Sequence, residues 1–324
     1  MRRPTRPRDR GSSSSPSTST PVRRCSRRPS RSTRPTTGSG CSGARTTRAS
    51  APVVADRTTR RAAVLGSPIS HSLSPALHEA AYRSLGLSGW SYTAIEMAEP
   101  GLAGFVEGLD ASWRGLSLTM PLKEVAFDVA AESSQLARDA RSINTLVRRP
   151  DGAWVGHNTD VHGIVAALRS VDHGGAARVI GAGATARSAV LALRSMGVAR
   201  VEVAARRPDA ARTLADLAQH LGLRARPVPL TEWASSPPPL IVSTVPAGAG
   251  PPLARSATAM RGITLFDVVY APWPSPLAAA VETAGGRVVS GLEMLLHQAA
   301  RQVEIFTGGS PDVDAMRAAV GSAP

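Results

Sequence analysis

The segment most informative about the fold reads Arg178-Val-Ile-Gly181-Ala-Gly183-Ala-Thr185-Ala186. It fits the pattern G-x-G-x-x-A between an apolar predicted strand and a predicted helix that runs from Thr185 to Met196. Glycines let the backbone approach a pyrophosphate, and the helix N-terminus supplies N–H donors. A tight strand-to-helix turn without any ligand gives the same pattern. The predicted dinucleotide-binding residues are Gly181, Ala182, Gly183, Ala184, Thr185 and Ala186.

The following strand indicates which dinucleotide is bound. NAD-binding units usually end this strand with an acidic residue that bonds the ribose hydroxyls, whereas this strand ends in Val203-Ala-Ala-Arg206-Arg207. Paired guanidinium groups suit a 2′-phosphate, and an acid at this position would repel it. The segment therefore predicts NADP, although a solvated arginine pair in an Arg-rich protein is the alternative.

Strands and helices are predicted to alternate on both sides of this segment, which is typical of an α/β fold. We expect two α/β domains with a cleft between them. Residues 61–160 plus 291–324 would form an N-terminal substrate-binding catalytic domain, and residues 161–290 a Rossmann-type NADP-binding domain. The closing helices are expected to return to the first domain, which otherwise has too few helices to cover its sheet. Ser74 is predicted to cap a helix, and Thr119-Met120-Pro121 to start another.

The net charge of +14 is concentrated in the first sixty residues. They contain 15 Arg and two acidic residues, which leaves 23 basic and 22 acidic residues in the nearly neutral remainder. We expect residues 1–60 to be a disordered basic tail, because they lack apolar periodicity. The favoured interpretation is that the translation start was assigned too far upstream and that the protein begins near Arg61. The alternatives are a transit-like leader and an arm that binds an anionic partner. Both cysteines, Cys25 and Cys41, lie in it.

One lysine stands among 38 basic residues, at position 123. An ammonium group exchanges a proton near neutral pH and a guanidinium does not, so Lys123 is a candidate proton donor. Asp160, at the start of a predicted helix, is a candidate partner, and a first-turn acid stabilised by the helix dipole is the alternative explanation for it. We expect no metal, because no cluster of metal-ligating residues is visible.

The segment Gly66-Ser-Pro-Ile-Ser-His71-Ser72-Leu-Ser74-Pro75 places hydroxyl groups between a strand and a helix, where they could hold a carboxylate. It resembles the N-terminal motif of the shikimate dehydrogenase family. Further segments resemble motifs of that family in the same order, and together they cover residues 62 to 308. These segments are Thr119-Met-Pro-Leu-Lys123-Glu124, Ile143-Asn144-Thr145, Gly156-His-Asn158-Thr159-Asp160, Asp267-Val-Val-Tyr270-Ala-Pro272 and Gly291-Leu-Glu-Met294-Leu-Leu-His-Gln298-Ala299.

The resemblance implies an NADP-dependent oxidoreductase that interconverts 3-dehydroshikimate and shikimate in aromatic amino acid biosynthesis. It implies that Lys123 and Asp160 form the catalytic pair. The implied substrate contacts are Ser72, Ser74, Thr119, Asn144, Tyr270 and Gln298. Further implied cofactor contacts, beyond residues 181–186 and the arginine pair, are Thr244, Val245, Val268, Gly291 and Met294. The family's usual N-R-T reads Ala205-Arg206-Arg207 here, so the adenosine contact that the resemblance implies for the asparagine is removed.

Other functions remain open. A quinate/shikimate dehydrogenase with NAD preference and a paralogue acting on a related polyol acid share these motifs. A non-enzymatic protein with a basic arm for nucleic acid is supported by the tail alone, since the remainder has neither a basic face nor an aromatic stacking motif. We expect a small-molecule substrate, no nucleic-acid partner, no membrane contact, a cytoplasmic location, and a monomer or homodimer.

Overall fold

The computed structural model describes residues 59–321, so nearly all of the predicted tail, with Cys25 and Cys41, lies outside the described residues. The strands are β1 (Arg60–Gly66), β2 (Trp90–Glu96), β3 (Trp113–Leu118), β4 (Glu132–Ser133), β5 (Thr145–Arg148), β6 (Trp154–His157), β7 (Ala176–Ile180), β8 (Arg200–Ala205), β9 (Arg224–Pro229), β10 (Leu240–Ser243), β11 (Thr264–Asp267) and β12 (Arg287–Ser290). The α-helices are α1 (Ser74–Ser84), α2 (Leu102–Glu107), α3 (Gln135–Ala140), α4 (Asp160–Leu168), α5 (Ala184–Ser195), α6 (Pro208–His220), α7 (Gly250–Ala254), α8 (Pro276–Thr283), α9 (Gly291–Thr307) and α10 (Val313–Ala319).

The first sheet has the strand order β2-β1-β3-β5-β6-β4. Strand β1 runs parallel to both β2 and β3, while β5 is antiparallel to β3 and β6. The sequence predicts a hairpin here, from two short apolar runs on either side of the turn Pro150-Asp151-Gly152, and the antiparallel pairing of β5 and β6 confirms it. Because β1 and β3 are parallel neighbours, their carboxyl ends open onto the same edge of the sheet, where α/β proteins bind ligands.

The second sheet has the order β12-β11-β10-β7-β8-β9 and is parallel throughout. Its strand order reverses between β7 and β10, and the Gly-rich turn follows β7 at this point. This is the doubly wound arrangement in which ligands bind at the point of reversal. The predicted α/β fold with a Rossmann-type unit is confirmed.

Helix α9 returns to the first sheet, as predicted. It packs against α1 and α4 and contacts β3 and β5. Its apolar face includes Leu296, Val303 and Phe306, which form a buried core with Leu77 of α1 and Tyr92 of β2. Helix α9 thus covers one face of the first sheet while its N-terminus adjoins β12 of the second.

Two local predictions are corrected. Helix α1 begins at Ser74 itself, so Ser74 is not its cap; the Ser72 hydroxyl instead accepts the Ser74 backbone N–H at 3.3 Å. No α-helix starts at Thr119-Met120-Pro121, which forms turns that lead into a 3-10 helix at Val125–Asp128. The Lys123 carbonyl accepts the Ile143 backbone N–H at 2.8 Å, so it is not available to the N–H four residues later that a continuous α-helix requires. Among residues 59–321, every helix is too short or too polar to span a lipid bilayer.

Candidate active site

A cavity of about 320 Å³ lies at the carboxyl ends of β1 and β3. It extends to residues of the second sheet's unit, where a unit means one sheet together with the helices and loops that connect its strands. It brings together all eight residues that the sequence predicted for catalysis and substrate binding. They are Ser72, Ser74, Thr119, Lys123, Asn144, Asp160, Tyr270 and Gln298. Thr185 from the start of α5 lines the same cavity. Residues that are up to 226 positions apart in the chain therefore meet at one polar site.

Lys123 and Asp160 form an ion pair in the lining of this cavity. Lys123 Nζ donates to Asp160 Oδ2 at 2.7 Å, and their side chains are 14% and 4% exposed. Asp160 is the first residue of α4, where the helix dipole favours negative charge. The partly exposed ammonium is thus held by a buried carboxylate and still reaches the cavity.

Asn144 fixes the other oxygen of this carboxylate. Its Nδ2 donates to Asp160 Oδ1 at 2.7 Å and to Thr159 Oγ1 at 3.0 Å. Its Oδ1 accepts the Thr159 backbone N–H and the Thr145 hydroxyl, each at 2.8 Å. Every polar group of Asn144 therefore has a partner, so a substrate hydroxyl that bonds Asn144 must share or replace one of these bonds.

A chain of hydrogen-bonded side chains along the cavity continues from Asn144 to Gln302, which also lines the cavity and which the sequence analysis missed. Gln302 donates from Nε2 to Thr145 Oγ1 at 3.0 Å and accepts the Ser117 hydroxyl at Oε1 at 2.8 Å. Each bond in the chain is directed toward Asp160, because Thr145 in turn donates to Asn144. Gln302 lies one helical turn after Gln298, and this second amide at i+4 on the apolar face of α9 was the available signal.

His78 was also missed and lies at the far end of this chain. It is fully buried, its Nε2 lies 3.3 Å from Gln302 Oε1, and its ring stacks on Tyr92 with centroids 3.8 Å apart. Burial lowers the pKa of His78 to about 3, so the imidazole is neutral at physiological pH. Its Nδ1 has no hydrogen-bond partner among the described residues.

Glu96 orients the loop that presents the serines. Its carboxylate accepts the Ser67 hydroxyl at 2.5 Å and the Ile69 backbone N–H at 3.0 Å. Tyr270 lines the cavity from the second sheet's unit, and burial raises the pKa of its phenol. The tyrosine is therefore a neutral hydroxyl at neutral pH and can donate a hydrogen bond to an anion.

A second groove, of about 590 Å³, runs beside the Gly-rich turn. Predicted cofactor residues line it, namely Gly181, Ala182, Gly183, Arg206, Arg207 and Val245. Four other predicted cofactor residues line the first cavity, namely Thr185, Val268, Gly291 and Met294. Ala184, Ala186 and Thr244 line neither: Ala184 begins α5, Ala186 is fully buried, and Thr244 Oγ1 donates to the Ile180 carbonyl at 2.9 Å.

The groove fits a dinucleotide. Gly181 has φ +110°, and a Cβ atom there would lie 2.3 Å from Thr244 Oγ1, so this position requires glycine. At Gly183 a Cβ atom would meet nothing within 4 Å, which leaves open space in front of the α5 N-terminus. No side chain caps that terminus. Its N–H groups are therefore available to a phosphate.

Comparison with known proteins agrees with this geometry. The curated NADP(+) shikimate dehydrogenase of Archaeoglobus fulgidus is 37% identical over 265 residues, which are 79% of this chain and 96% of the relative. The chain belongs to the shikimate dehydrogenase family. The family's substrate-binding domain model matches residues 64–146, and the model of the shikimate 5′-dehydrogenase C-terminal domain matches residues 291–320.

Solved structures of the family have the same fold. Mycobacterium tuberculosis shikimate dehydrogenase is 45% identical with a TM-score of 0.74, and the match covers 81% of this chain and 98% of that one. The Thermus thermophilus shikimate 5-dehydrogenase was solved in complex with NADP(H) and shikimate. It is 34% identical with a TM-score of 0.68, over 80% of this chain and 98% of that chain.

Proposed function

We propose that this chain catalyses the reversible NADP-dependent reduction of 3-dehydroshikimate to shikimate. The observation that supports this most directly is the Lys123–Asp160 pair, 2.7 Å between Nζ and Oδ2, in a cavity that also contains Thr185 of the dinucleotide-binding helix. A proton-exchanging group thus lies where a substrate ring and a nicotinamide would meet. The names of the curated relatives agree with this activity.

The roles of the residues follow from the chemistry of a ketone reduction. NADPH, when bound, supplies the hydride to the ring carbonyl carbon. The Lys123 ammonium stabilises the negative charge that develops on the carbonyl oxygen and donates its proton to that oxygen. Asp160, held by Asn144, keeps the ammonium in place. In the reverse direction, the neutral amine accepts the hydroxyl proton.

Substrate recognition divides between the two ends of the cavity. We propose that the hydroxyl groups of Ser72, Ser74 and Tyr270 bind the ring carboxylate, and that Thr119, Asn144 and Gln298 bond the ring hydroxyls. Hydroxyl donors suit a carboxylate, and charge-assisted bonds of this kind are stronger than neutral ones. These assignments, like the domain boundaries at residues 160 and 291, rest on the cavity lining and the family resemblance.

Arg206 and Arg207 support NADP as the cofactor. Both line the groove at the end of β8, where a 2′-phosphate would lie next to the adenine-side ribose. We propose that their guanidinium groups bind this phosphate. We also propose a cytoplasmic enzyme with a small-molecule substrate and no nucleic-acid partner, acting as a monomer or homodimer.

The decisive experiment is a four-way assay of the purified chain at the nicotinamide absorbance band. Shikimate and quinate are each tested with NADP and with NAD, and kcat/KM is compared. We expect the highest value for shikimate with NADP. A higher kcat/KM for quinate with NAD would replace this proposal with the quinate dehydrogenase alternative, and no turnover with either acid would favour the paralogue with another polyol acid.

A further inference from the structure

Arg187 connects the cofactor-binding helix to the segment that contains Lys123. It is the fourth residue of α5, and its guanidinium reaches residues that belong to the first sheet's unit. Nε donates to the Ala140 carbonyl at 2.7 Å, and Nη2 donates to the Arg141 carbonyl at 3.0 Å and to Glu124 Oε1 at 2.7 Å. One side chain on the dinucleotide-binding helix thus joins three oxygens of the opposite unit.

These three oxygens belong to the structure that supports Lys123. Glu124 is the next residue in the chain, and the Lys123 carbonyl accepts the Ile143 backbone N–H at 2.8 Å. Ala140 and Arg141 end α3, where carbonyls lack partners within the helix and carry partial negative charge. The guanidinium therefore caps α3 and holds the carboxylate next to Lys123 at the same time.

We propose that Arg187 is a positioning residue that sets the distance between the Lys123 ammonium and the α5 N-terminus. The proposal rests on the proposed function, because it assigns the α5 N-terminus to the cofactor and Lys123 to proton transfer. Reaction between two bound groups depends steeply on their separation, and a misplacement of about 1 Å costs on the order of 100-fold in rate. Arg187 lines neither the substrate cavity nor the groove beside the Gly-rich turn, so we assign it an effect through this separation.

The chemistry of the guanidinium suits this role better than that of an ammonium. Its planar fork presents donors in fixed directions and bonds three oxygens at once, which defines an orientation as well as a distance. The ion pair itself contributes little to stability, because the Glu124 side chain is 64% exposed. Precise placement is therefore the property that loss of Arg187 should change.

A second link keeps the two units joined without Arg187. Asn158 donates from Nδ2 to the Ser142 carbonyl at 2.9 Å and to Ser188 Oγ at 3.0 Å, and all three residues are buried. Because this link attaches α5 to the same stretch of chain, Arg187→Ala should fold with its two units still in contact. It does not reach Glu124, so it cannot replace the contact next to Lys123.

The test compares Arg187→Ala, Arg187→Lys and Glu124→Gln with the wild type in the shikimate and NADP assay. Arg194→Ala is the matched control, since Arg194 is an exposed arginine in the last turn of the same helix. We expect Arg187→Ala to lower kcat about 10- to 100-fold. We expect the Kd for shikimate, measured by calorimetry without cofactor, to stay within about twofold.

A double-mutant cycle tests whether Arg187 acts through Glu124. Glu124→Gln should lower kcat less than Arg187→Ala, and the double variant should be no slower than Arg187→Ala alone. The proposal is overturned if the fold-decrease in kcat of the double variant equals the product of the two single decreases. It is also overturned if Arg187→Ala has the same kcat as Arg194→Ala, or if weaker shikimate binding explains its loss of activity. If Arg187→Ala does not fold, the kcat values of Arg187→Lys and Glu124→Gln are compared with those of the wild type and Arg194→Ala instead.

Hydrogen exchange supplies a readout that does not depend on activity. Exchange is measured at two backbone amides, that of Leu122, which bonds the Thr119 carbonyl, and that of Ile143. With cofactor absent from both proteins, both amides should exchange several-fold faster in Arg187→Ala than in the wild type. Unchanged exchange at both amides overturns the positioning role. If the wild type does not turn over shikimate, the proposed function fails, and the exchange result still decides whether Arg187 orders the Lys123 segment.

Discussion

Replacing Lys123 tests the proton-transfer step directly. In Lys123→Ala the cavity loses its ammonium, and the 4% exposed Asp160 side chain loses the partner that lies 2.7 Å from its Oδ2. Removal of a general acid–base group typically lowers the rate by about 10²–10⁴, which corresponds to about 3–5 kcal/mol of transition-state stabilisation. We expect kcat to fall by this factor in the shikimate and NADP assay, while circular dichroism shows a folded protein.

Lys123→Arg separates charge from proton transfer. The guanidinium retains the positive charge beside Asp160 but does not release a proton at accessible pH. If proton transfer is the main role, Lys123→Arg should be nearly as slow as Lys123→Ala; if the charge alone suffices, it should retain most of the wild-type kcat. Turnover of Lys123→Ala within a few-fold of the wild type would refute the role of the lysine altogether.

Three further variants test the other assignments. Arg206→Ala should raise KM for NADP about tenfold or more and KM for NAD far less, because only NADP has the 2′-phosphate; equal effects would argue against this contact. Ser72→Ala should raise KM for shikimate about tenfold through loss of a bond to a charged group, and an unchanged KM would remove Ser72 from the site. Burial lowers the pKa of His78 from 6.5 to about 3, so between these pH values the unfolded chain binds a proton that the folded protein excludes. The free energy of unfolding therefore decreases as the pH is lowered from 6.5 toward 3. In urea titrations His78→Phe should lose about 3 kcal/mol less than the wild type between pH 7 and pH 4, and equal losses would contradict the buried neutral imidazole.

The parts of the fold that the sequence predicted are those with local signals. The Gly-rich turn after β7 and the hairpin of β5 and β6 are recognisable within ten residues or so. Strand β9, Arg224–Pro229, was missed because it is a mostly exposed edge strand with two prolines and little apolar alternation. The helix expected at Thr119-Met120-Pro121 was wrong because the proline signal was taken for a helix start.

The parts of the site that the sequence could not predict depend on distant contacts. Lys123 and Asp160 were identifiable from the unusual lysine and from the family resemblance. Gln302 meets Ser117 across 185 positions in the chain, and Arg187 meets Glu124 across 63. A second amide on the apolar face of α9 signals that Gln302 is buried, but no local pattern identifies the partners of Gln302 or Arg187. Their contacts follow from the packing of α9 and α5.

The placement of Asp160 explains why the site needs contacts between the two units. The residues that we propose to bind the substrate lie mainly on the first sheet's unit, and the groove that we propose for the dinucleotide lies on the second. Asp160 begins α4, the first helix after the last strand of the first sheet, and α4 packs against both α5 and α9. The carboxylate that holds Lys123 therefore lies at the junction of the two units. Because a hydride moves only over a short distance, the contacts at this junction determine whether two separately bound molecules react.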